Sequence, residues 1–486
     1  MKKLLFLLFL PVSIFGQTLA FEGALGPGAY ADGWRGGQVV FVTNCNASGA
    51  GSWVAALDVV GPKYIIPRVA CIVDLGGILV KNIDNTYIAG QAAPDGGTTF
   101  INGRVVFSGS NFLIRYIRFK GGRLDPSPND SFGGQPLSNG VIDHVSAGFS
   151  DDEALSLVQE FVSTVLTPSE NVTVQYCLFA ESASTGSITG STNVNTGQVG
   201  DFGWYNNIWY NISHRFPNMS FSRADVQNNI AWNYQDRLIS GNYGQFEVNQ
   251  INNLYRRDGG IDSTRLNRNL HDVTYMDPPN LPQIYSKGNL ILPGYVTDET
   301  LPDNNDTWRW YLNVTSGFFA GAIRFDPLPS DFFPGSPISI SGPAFTPVLA
   351  STLQATLPDK VGANARVMGD GAVIDNTSVL DQGYIDNIKN DVIVPYANPL
   401  TDYVVPAFTG GAAYTDSDND GMGDAWELAN GLNVGVDDHA GHDLDPVKDN
   451  IEFFLGLVDS SPMTTLGKVI KGNLKFNGGN GKIKTN

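Results

Sequence analysis

The chain of 486 residues carries 30 Lys and Arg residues against 48 Asp and Glu residues, which gives a formal net charge of −18. This acidity argues against a nucleic-acid-binding protein, because such a protein needs a basic surface. Hydrophobic residues make up 42% of the chain, alongside 55 glycines and 27 prolines. The composition therefore indicates a globular, turn-rich protein with a sizeable core, and neither a disordered polyanion nor a membrane bundle.

The first residues have the pattern of a secretory signal peptide. Lys2 and Lys3 precede an apolar run of 12 residues, Leu4 to Phe15. A run of that length is too short to cross a hydrocarbon core, which requires about 20 residues. We therefore predict a signal peptide over residues 1–16, no membrane span, and export to the extracellular space, the periplasm or the cell surface.

The three cysteines, Cys45, Cys71 and Cys177, allow at most one intrachain disulfide in an exported protein. Cys45 with Cys71 is the pairing we assign, without geometric support at this point. Three scattered thiols do not indicate a zinc site. Glycosylation sequons, which matter only in a host that glycosylates, begin at Asn46, Asn171, Asn211 and Asn313.

From about residue 75 to residue 295, short β-prone segments recur and no segment shows sustained helical periodicity. A signature of two asparagines and an apolar residue recurs every 22 to 24 residues, with a weaker fourth copy, at Asn206-Asn207-Ile208, Asn228-Asn229-Ile230, Asn252-Asn253-Leu254 and Gly288-Asn289-Leu290. This period, without crossover helices, is typical of one coil of a parallel β-helix. Stacked asparagine amides would satisfy one another's hydrogen bonds. A β-sandwich is the weaker alternative.

The sequence changes character after the repeats. We predict a parallel β-helix domain over residues 17–340 and an irregular extension, rich in Pro, Asp and Gly, that packs on it over residues 341–412. Within that extension, Leu349 to Val367 is a candidate surface segment. A calcium-binding segment over residues 413–458 follows, and residues 459–486 form a flexible tail rich in Lys, Gly and Asn.

The calcium-binding segment matches the whole 12-residue EF-hand loop pattern. Gly421 stands at the position of the sharp turn, and the loop positions that bind the ion are occupied by Asp416, Asp418, Asp420, Met422 through its carbonyl, Asp424 and Glu427. The acidic stretch from Asp437 to Glu452 lacks the Gly at the turn position of this pattern and its central carboxylate. We interpret it as a degenerate partner of the first loop. Extracellular calcium modules are weak and structural, so this site is predicted to stabilise the C-terminal region and does not imply catalysis.

Several stretches together resemble the pectate lyases of the right-handed parallel β-helix class, especially secreted bacterial forms. The stretches are Ala20 to Gly23, Arg35 to Asn44, Ile88 to Pro94, Ile114 to Phe119, Ile142 to His144, Asp152 to Leu155 and Asn171 to Tyr176. The resemblance covers most of residues 20–430 and implies an all-β, right-handed parallel β-helix with the calcium loop as a C-terminal extension. For Asp143 and His144 we favour a structural, hydrogen-bonded role.

The resemblance implies a catalytic calcium site. Asp130 and Asp152 match two of the family's carboxylate ligands, and Glu153 is a further donor. The family's third carboxylate, four residues after Asp152, falls at Ser156. The predicted cluster is therefore depleted unless a neighbouring carboxylate, or the substrate's own carboxylate, supplies oxygens.

The segment from Tyr205 to Pro217 resembles the stretch that carries the family's catalytic arginine, which matches Arg215. The family's supporting arginine falls at Ser220, and its substrate-binding lysine falls near Ser184. The residues that could compensate by binding substrate are Arg223, Arg237, His214 and Lys120. The resemblance thus implies a monomer that cleaves α-1,4-linked polygalacturonate, in pectate or pectin, by calcium-assisted β-elimination to 4,5-unsaturated oligogalacturonides.

Two other functions stay open. A polygalacturonase-like hydrolase would need an acid and a base carboxylate about 5 to 9.5 Å apart, and Asp151 with Asp152 could form such a pair. The Asn-Thr-Asp-Gly, Gly-His-Gly and Arg-Ile-Lys motifs that we associate with that family are absent from the sequence. A carbohydrate-binding β-helix without activity is the second alternative, and serines at 156 and 220 are consistent with such a loss.

Overall fold

The computed structural model describes residues 17–122, 129–158, 160–162, 165–167, 169–190, 200–241, 246–258, 270–273, 282–313, 323–394 and 410–460. The predicted signal peptide, and residues 461–486 of the predicted tail, lie outside these ranges. None of the helices within them is long and apolar enough to span a membrane.

The described strands, numbered in chain order, are β1 (Gln38–Val42), β2 (Lys63–Pro67), β3 (Cys71–Asn82), β4 (Thr86–Ala89), β5 (Thr98–Arg115), β6 (Arg118–Lys120), β7 (Phe132–Asp143), β8 (Ser146–Gly148), β9 (Glu153–Val158), β10 (Glu160–Val162), β11 (Val165–Thr167), β12 (Glu170–Gln175), β13 (Leu178–Ala180), β14 (Thr185–Gly190), β15 (Asp201–Tyr205), β16 (Ile208–Tyr210), β17 (Asn218–Ser220), β18 (Arg223–Gln227), β19 (Ile230–Trp232), β20 (Ser240–Gly241), β21 (Glu247–Ile251), β22 (Leu254–Arg256), β23 (His271–Val273), β24 (Gln283–Lys287), β25 (Leu290–Leu292), β26 (Trp308–Asn313), β27 (Ile323–Pro327), β28 (Ala365–Val367) and β29 (Val373–Asp375).

The helices are short. They are α1 (Trp53–Leu57), α2 (Ala350–Thr356), α3 (Val379–Lys389), α4 (Asp424–Asn430), α5 (Asn450–Leu455) and α6 (Leu457–Ser460), with 3-10 segments at Gly90–Ala92, Asn305–Thr307, Ser330–Phe332 and Pro358–Lys360.

Along most of the chain, each strand pairs in parallel with the strand one coil further on, which is three places later in the chain. The first sheet runs through β12, β15, β18, β21 and β24, the second through β13, β16, β19, β22 and β25, and the third through β14, β17, β20, β23 and β26. The long strands β5 and β7 of the early coils bend across more than one sheet. This pairing confirms the parallel β-helix and excludes the β-sandwich for the described coils.

The core fills the space between the three sheets. Phe100 and Phe119 are register partners in consecutive coils and stack with ring centroids 5.5 Å apart. Phe119 also stacks on Phe132, which belongs to the third sheet, at 4.4 Å. All three side chains are almost fully buried, so this aromatic group joins two sheets across the core.

The predicted asparagine ladder is present inside the turn between the first and second sheets. The side-chain amide of each member donates to the Oδ1 of the next at 2.9 to 3.1 Å, through Asn207, Asn229, Asn253, Asn289 and Asn304. Each of these Oδ1 atoms also accepts the backbone N–H of the preceding ladder residue. The fifth member, Asn304, is preceded by Asp303 and followed by Asn305, so it does not match the Asn-Asn-apolar signature and was not predicted.

The first asparagine of each pair adopts a left-handed backbone conformation at the turn. Asn206, Asn228 and Asn252 have φ values of 57°, 54° and 52°. Asparagine tolerates this left-handed conformation better than most residues, and glycine adopts it freely. The fourth copy has Gly288 at that position with φ of 69°, which explains why its signature begins with glycine.

The assigned disulfide joins Cys45 to Cys71, with the two Cα atoms 5.1 Å apart. Cys177 is free and fully buried. The bond ties the segment after β1 to the start of β3, and it is consistent with an oxidising compartment.

The extension over residues 341–412 contains more regular structure than its composition indicates. Helices α2 and α3 pack on the outer face of the second sheet through Leu353, Tyr384 and Ile388. Asp381 of α3 is buried there and pairs with Lys120 at 3.1 Å. The buried residues of α3, Asp381, Tyr384, Ile385 and Ile388, follow the i, i+3, i+4, i+7 spacing of a helix that packs one face on a sheet.

A second ladder lies in the turn after the second sheet. Asn233 Nδ2 donates to Asn211 Oδ1 at 2.8 Å, and Asn211 Nδ2 in turn donates to the carboxylate of Glu181. Burial raises the pKa of Glu181 to about 7, although the hydrogen bond from Asn211 and the charge of Lys120 act in the opposite direction. The fold therefore favours the protonated form of this side chain.

We expect Asn229→Ala to lower the free energy of unfolding by about 3 to 5 kcal/mol, because it leaves several buried groups of neighbouring coils without partners. Denaturant or thermal unfolding measures the loss. The matched control is Asn46→Ala at an exposed position, which should change stability by less than about 0.5 kcal/mol. Equal effects of the two substitutions would contradict a stabilising ladder.

Glu181→Gln is expected to raise the free energy of unfolding above that of wild type by an amount that depends on pH. Because the folded-state pKa of about 7 lies above the ordinary value of 4.5 for a glutamate, wild-type stability falls as pH rises from about 4.5 through 7. The uncharged variant avoids this loss, so it should gain up to about 3 kcal/mol over wild type at pH 8 and nothing below pH 4.5. Unfolding curves across this range, with exposed Glu22→Gln as control, test this; a difference independent of pH argues against it.

Candidate active site

The coil geometry brings predicted site residues together where the second sheet turns into the third. Asp152 lies just before β9, Glu153 is the first residue of β9, and Asp130 lies just before β7. The next two coils contribute Thr185, which pairs in parallel with Glu153, and His214, which forms a parallel bridge with Thr185. The same turn in successive coils thus builds one surface.

Three carboxylates converge at this surface. Oxygen atoms of Asp130, Asp152 and Glu153 all lie within 4.8 Å of one another. Glu153 is 4% exposed and Asp130 is 7% exposed. The structure therefore brings together the three residues predicted as the first calcium site.

Neighbouring side chains hold these carboxylates in place. Arg104 Nη2 donates to Asp130 Oδ2 at 2.6 Å, and Ser156 also donates a hydrogen bond to Asp130. Thr185 Oγ1 donates to Asp152 Oδ1 at 2.9 Å. Ser156, at the position of the expected third carboxylate, is thus a hydrogen-bond donor.

Arg104 is a site residue that the sequence did not reveal. It belongs to β5, in the coil before the carboxylates, and lies 26 residues before Asp130. No motif surrounds it. The one available signal was its separation from Asp130, which is close to the coil period and places the two side chains side by side.

Arg215 reaches the cluster from the turn between β16 and β17. Its guanidinium forms an ion pair with Glu153, and its side chain is 26% exposed. The backbone has φ of 70°, a left-handed conformation that costs energy for arginine. Its N–H donates to Leu238 O at 3.2 Å, and its carbonyl accepts from Ser187 N at 2.9 Å. Contacts with the coils on either side therefore hold Arg215 in this conformation.

The electrostatics of the cluster reflect crowded negative charge. Burial raises the pKa of Glu153 to about 8; Arg215 opposes the shift, and Asp152 and Asp130 add to it. Burial likewise raises the pKa of Asp130, against the opposing charge of Arg104. Cationic partners therefore stabilise the ionised form of the cluster.

His214 lies beside Arg215 and is buried. Burial, together with the charges of Arg237 and Arg215, holds the pKa of His214 well below its usual value. Its Nδ1 has no hydrogen-bond partner among the described residues. His214 is therefore a neutral imidazole at the edge of the cluster, and not a cation.

Two predicted substrate-binding residues lie elsewhere. Lys120 is 3% exposed and pairs with Asp381 beneath α3, on the outer face of the second sheet. Arg223 starts β18 of the first sheet, where it pairs with Asp201 at 3.4 Å and Glu247 at 3.2 Å. The structure does not bring either side chain to Arg215, because each belongs to a different face of the coil.

A polar row continues from the cluster along the third sheet. In the strand register, Ser156 aligns through Ile188 with Asn218, then with Ser240 and Asp272. Ser240 Oγ donates to Asp272 Oδ1 at 2.6 Å, and Arg237 Nη1 donates to Asp272 Oδ2 at 3.2 Å. The row carries polar side chains over several coils, although Ile188 interrupts it and Asn218, Ser240 and Asp272 are only 1 to 3% exposed.

The structure also describes the residues of the predicted EF-hand loop. Oxygen atoms of Asp416, Asp418 and Asp420 lie within 4.8 Å of one another, and so do those of Asp420, Glu427 and Asp438. Asp424 accepts hydrogen bonds from Ser417 N and Oγ instead. Met422 is buried, and its N–H donates to Asp420 Oδ1 at 2.8 Å. The loop lies far along the chain from the first cluster and forms a separate acidic group.

No protein-family model matches the chain. Over part of its length it is similar to fungal proteins named probable pectate lyase C. It is 30% identical over 271 residues to the Aspergillus oryzae protein, covering 53% of this chain and 61% of that protein. It is 31% identical over 285 residues to the Neosartorya fischeri protein, covering 56% and 64%. The chain thus spans less than two thirds of either relative, and the bacterial origin suggested by the resemblance gains no support from them.

Solved structures with a similar course include the cedar pollen allergen jun a 1, with a TM-score of 0.49 and 13% identity over 70% of this chain and 92% of that chain. A pectate lyase from Bacillus sp. N165 in complex with trigalacturonate gives a TM-score of 0.44 and 13% identity over 69% and 98%. At these values the comparison adds nothing to the assignment of the fold, which depends on the strand pairing.

Proposed function

We propose that the chain is a polysaccharide lyase that cleaves α-1,4-linked polygalacturonate, the backbone of pectate, to 4,5-unsaturated oligogalacturonides. The observation that carries the proposal is the convergence of Asp130, Asp152 and Glu153 with the guanidinium of Arg215 on one solvent-accessible edge of the coil. The similarity to proteins named probable pectate lyase C supports the same activity.

The donor set fits a hard divalent cation. Ca²⁺ prefers carboxylate and other oxygen ligands, and Asp130, Asp152 and Glu153 offer such oxygens within 4.8 Å of one another. When bound there, Ca²⁺ would withdraw charge from the sugar carboxylate and make the adjacent C5–H more acidic. Water or substrate oxygens would complete the coordination, since Ser156 supplies no carboxylate.

Arg215 is the proposed base. A guanidinium normally stays protonated, so Arg215 must first leave Glu153 and release a proton to solvent before it can accept one. It then takes the proton from C5, the C5–H electron pair forms the C4=C5 double bond, and the C4–O bond breaks. The leaving oxygen takes up a proton from solvent. The backbone contacts of Arg215 to Leu238 and Ser187 keep the side chain at the reacting edge.

Arg104 and the polar row have supporting roles. Arg104 compensates the charge of Asp130, and it is a cation of this turn that a substrate carboxylate would meet. In the polar row, Arg237 and Ser240 both donate to Asp272, so this row is proposed to support the turn and not to contact the sugar directly.

Secretion belongs to the same proposal. The disulfide between Cys45 and Cys71 fits an oxidising compartment, and a polymeric plant-type polysaccharide is reached outside the cell. We propose that the protein acts there as a monomer, because one coil surface carries the whole site.

The hydrolase alternative fits less well. Hydrolases need two carboxyl groups about 5 to 9.5 Å apart with room for a water or a sugar carbon between them. Here guanidinium groups already contact Asp130 and Glu153, so neither carboxyl group is free to act as the acid or the base.

Arg215→Ala is expected to lower the rate of β-elimination on polygalacturonate at least 100-fold, because the proton acceptor is lost. The ultraviolet absorbance of the unsaturated product, recorded with Ca²⁺ and then with excess chelator, measures this rate. Arg256→Ala is the matched control. Arg256 ends β22 of the second sheet and pairs with exposed Asp391, away from the cluster, so this variant should retain wild-type activity.

The same assay on the wild-type protein distinguishes the lyase from the hydrolase and from the inactive binding module. New reducing ends without absorbance would favour hydrolysis, and binding to pectate without either signal would favour the inactive module. Either result would overturn the lyase proposal, as would an Arg215→Ala variant with wild-type rates.

Arg104→Ala should lower the Ca²⁺ concentration for half-maximal lyase rate by severalfold. The reason is that the guanidinium competes with a divalent cation for Asp130, and its removal strengthens the attraction between the cluster and the ion. The calcium dependence of the ultraviolet assay provides the measurement, with Arg256→Ala again as the control. A higher half-maximal concentration would show that Arg104 assists calcium and does not compete with it.

A further inference from the structure

The C-terminal acidic group contains carboxylates that the protein itself leaves without partners. Glu427 and Asp420 are both 0% exposed. Neither oxygen of Glu427, nor Oδ2 of Asp420, has a hydrogen-bond partner within the described part of the chain, and the same holds for both oxygens of Asp418 and for Oδ1 of Asp438. Buried, unpaired carboxylates are costly unless a cation or a donor compensates them.

The geometry concentrates these groups around Asp420. Its carboxylate belongs to two sets whose oxygens lie within 4.8 Å of one another, one with Asp416 and Asp418, the other with Glu427 and Asp438. Asp438 lies outside the 12-residue loop, in the segment after α4, and therefore adds a carboxylate that the EF-hand pattern does not contain. Burial raises the pKa of Glu427 to about 8, with a further contribution from Asp420.

The backbone of the loop is arranged around the same point. Asp416 accepts the N–H groups of Asp420 at 3.1 Å and Gly421 at 2.9 Å, and Gly421 has φ of 92°. Asp424 instead points at Ser417, whose N and Oγ donate to it at 2.8 and 2.7 Å. The ligand position that the sequence assigned to Asp424 is thus used to fix the loop.

We propose that a divalent cation of the Ca²⁺ class binds between Asp418, Asp420, Glu427 and Asp438, and that it staples the C-terminal segment onto the first coils of the β-helix. Carboxylate oxygens in this number are the ligands that Ca²⁺ prefers. The cation would join the loop, helix α4 and the segment around Asp438, which are three separate pieces of chain.

The same segment is attached to the first coils by direct contacts. Met422, Trp426 and Phe454 share one apolar cluster with Tyr64 and Ile66 of β2 on the outer face of the first sheet. A cation that orders the loop therefore also orders this apolar contact.

Polar contacts bind the acidic stretch to the same coils. Tyr64 Oη donates to Asp449 Oδ2 at 2.7 Å, and Arg35 Nε donates to Glu452 Oε2 at 3.0 Å. Arg68, the residue directly after β2, pairs with Asp416 of the loop itself. The effect of the cation is consequently expected in the stability of the N-terminal coils, and not in the chemistry of the Arg215 site.

The test uses the full chain and two readouts. Tb³⁺ added alone should give luminescence sensitised by Trp426, which lies next to Glu427 in α4, and Ca²⁺ should compete it away. Ca²⁺ should also raise the midpoint of thermal unfolding by several degrees, since a ligand that binds only the folded state stabilises it. Glu427→Gln and Asp438→Asn should each weaken binding at least tenfold and lose most of the thermal shift.

Asp424→Asn is the matched control, because an asparagine oxygen can still accept from Ser417; it should bind Tb³⁺ and Ca²⁺ like wild type. Asp130→Asn, in the other carboxylate cluster, should also retain the luminescence and the thermal shift. The proposal is overturned if wild type shows neither signal, or if Asp438→Asn binds like wild type while Asp424→Asn does not. Neither readout involves lyase activity, so failure of the proposed function would leave this result unchanged.

Discussion

The register between consecutive coils is the constraint on which the rest of the structure depends. Each coil hydrogen-bonds to the next through three parallel sheets, and the ladder from Asn207 to Asn304 repeats the same contact inside one turn. Because side chains alternate along a strand, a slip of one residue would turn core residues outward and break every amide contact of the ladder. A stable register is therefore what allows residues of different coils to form a site.

The carboxylate cluster shows this directly. Asp130, Glu153 and Arg215 come from different coils, and the strand pairing places them at the same turn. The cluster has more negative charge than burial tolerates, so guanidinium groups from Arg104 and Arg215 contact it. The same charge arrangement suits a divalent cation and an anionic sugar. Competition between the arginines and a metal ion for the carboxylates is therefore expected to control the activity of the site.

The C-terminal region also contains clustered carboxylates, but their surroundings differ from those of the first cluster. Its acidic group buries Glu427, and Oδ2 of Asp420, without hydrogen-bond donors among the described residues, while its apolar residues cover the outer face of the first sheet. In the first cluster, by contrast, guanidinium groups of Arg104 and Arg215 contact the buried carboxylates of Asp130 and Glu153. This difference in compensation separates a site where arginine and a cation compete from one suited to a structural ion.

The sequence by itself determined the repeating all-β architecture, because the asparagine signature recurs once per coil. It gave the pairing of Cys45 with Cys71 only as an assignment without geometric support, and Asp130 and Asp152 only through the family resemblance. Only the tertiary structure decided which side chains from different coils meet. It brought in Arg104, placed Lys120 on another face, and replaced Asp424 by Asp438 in the acidic group. The physical reason is that coil register, turn length and packing of the C-terminal segment depend on contacts between residues far apart in the chain.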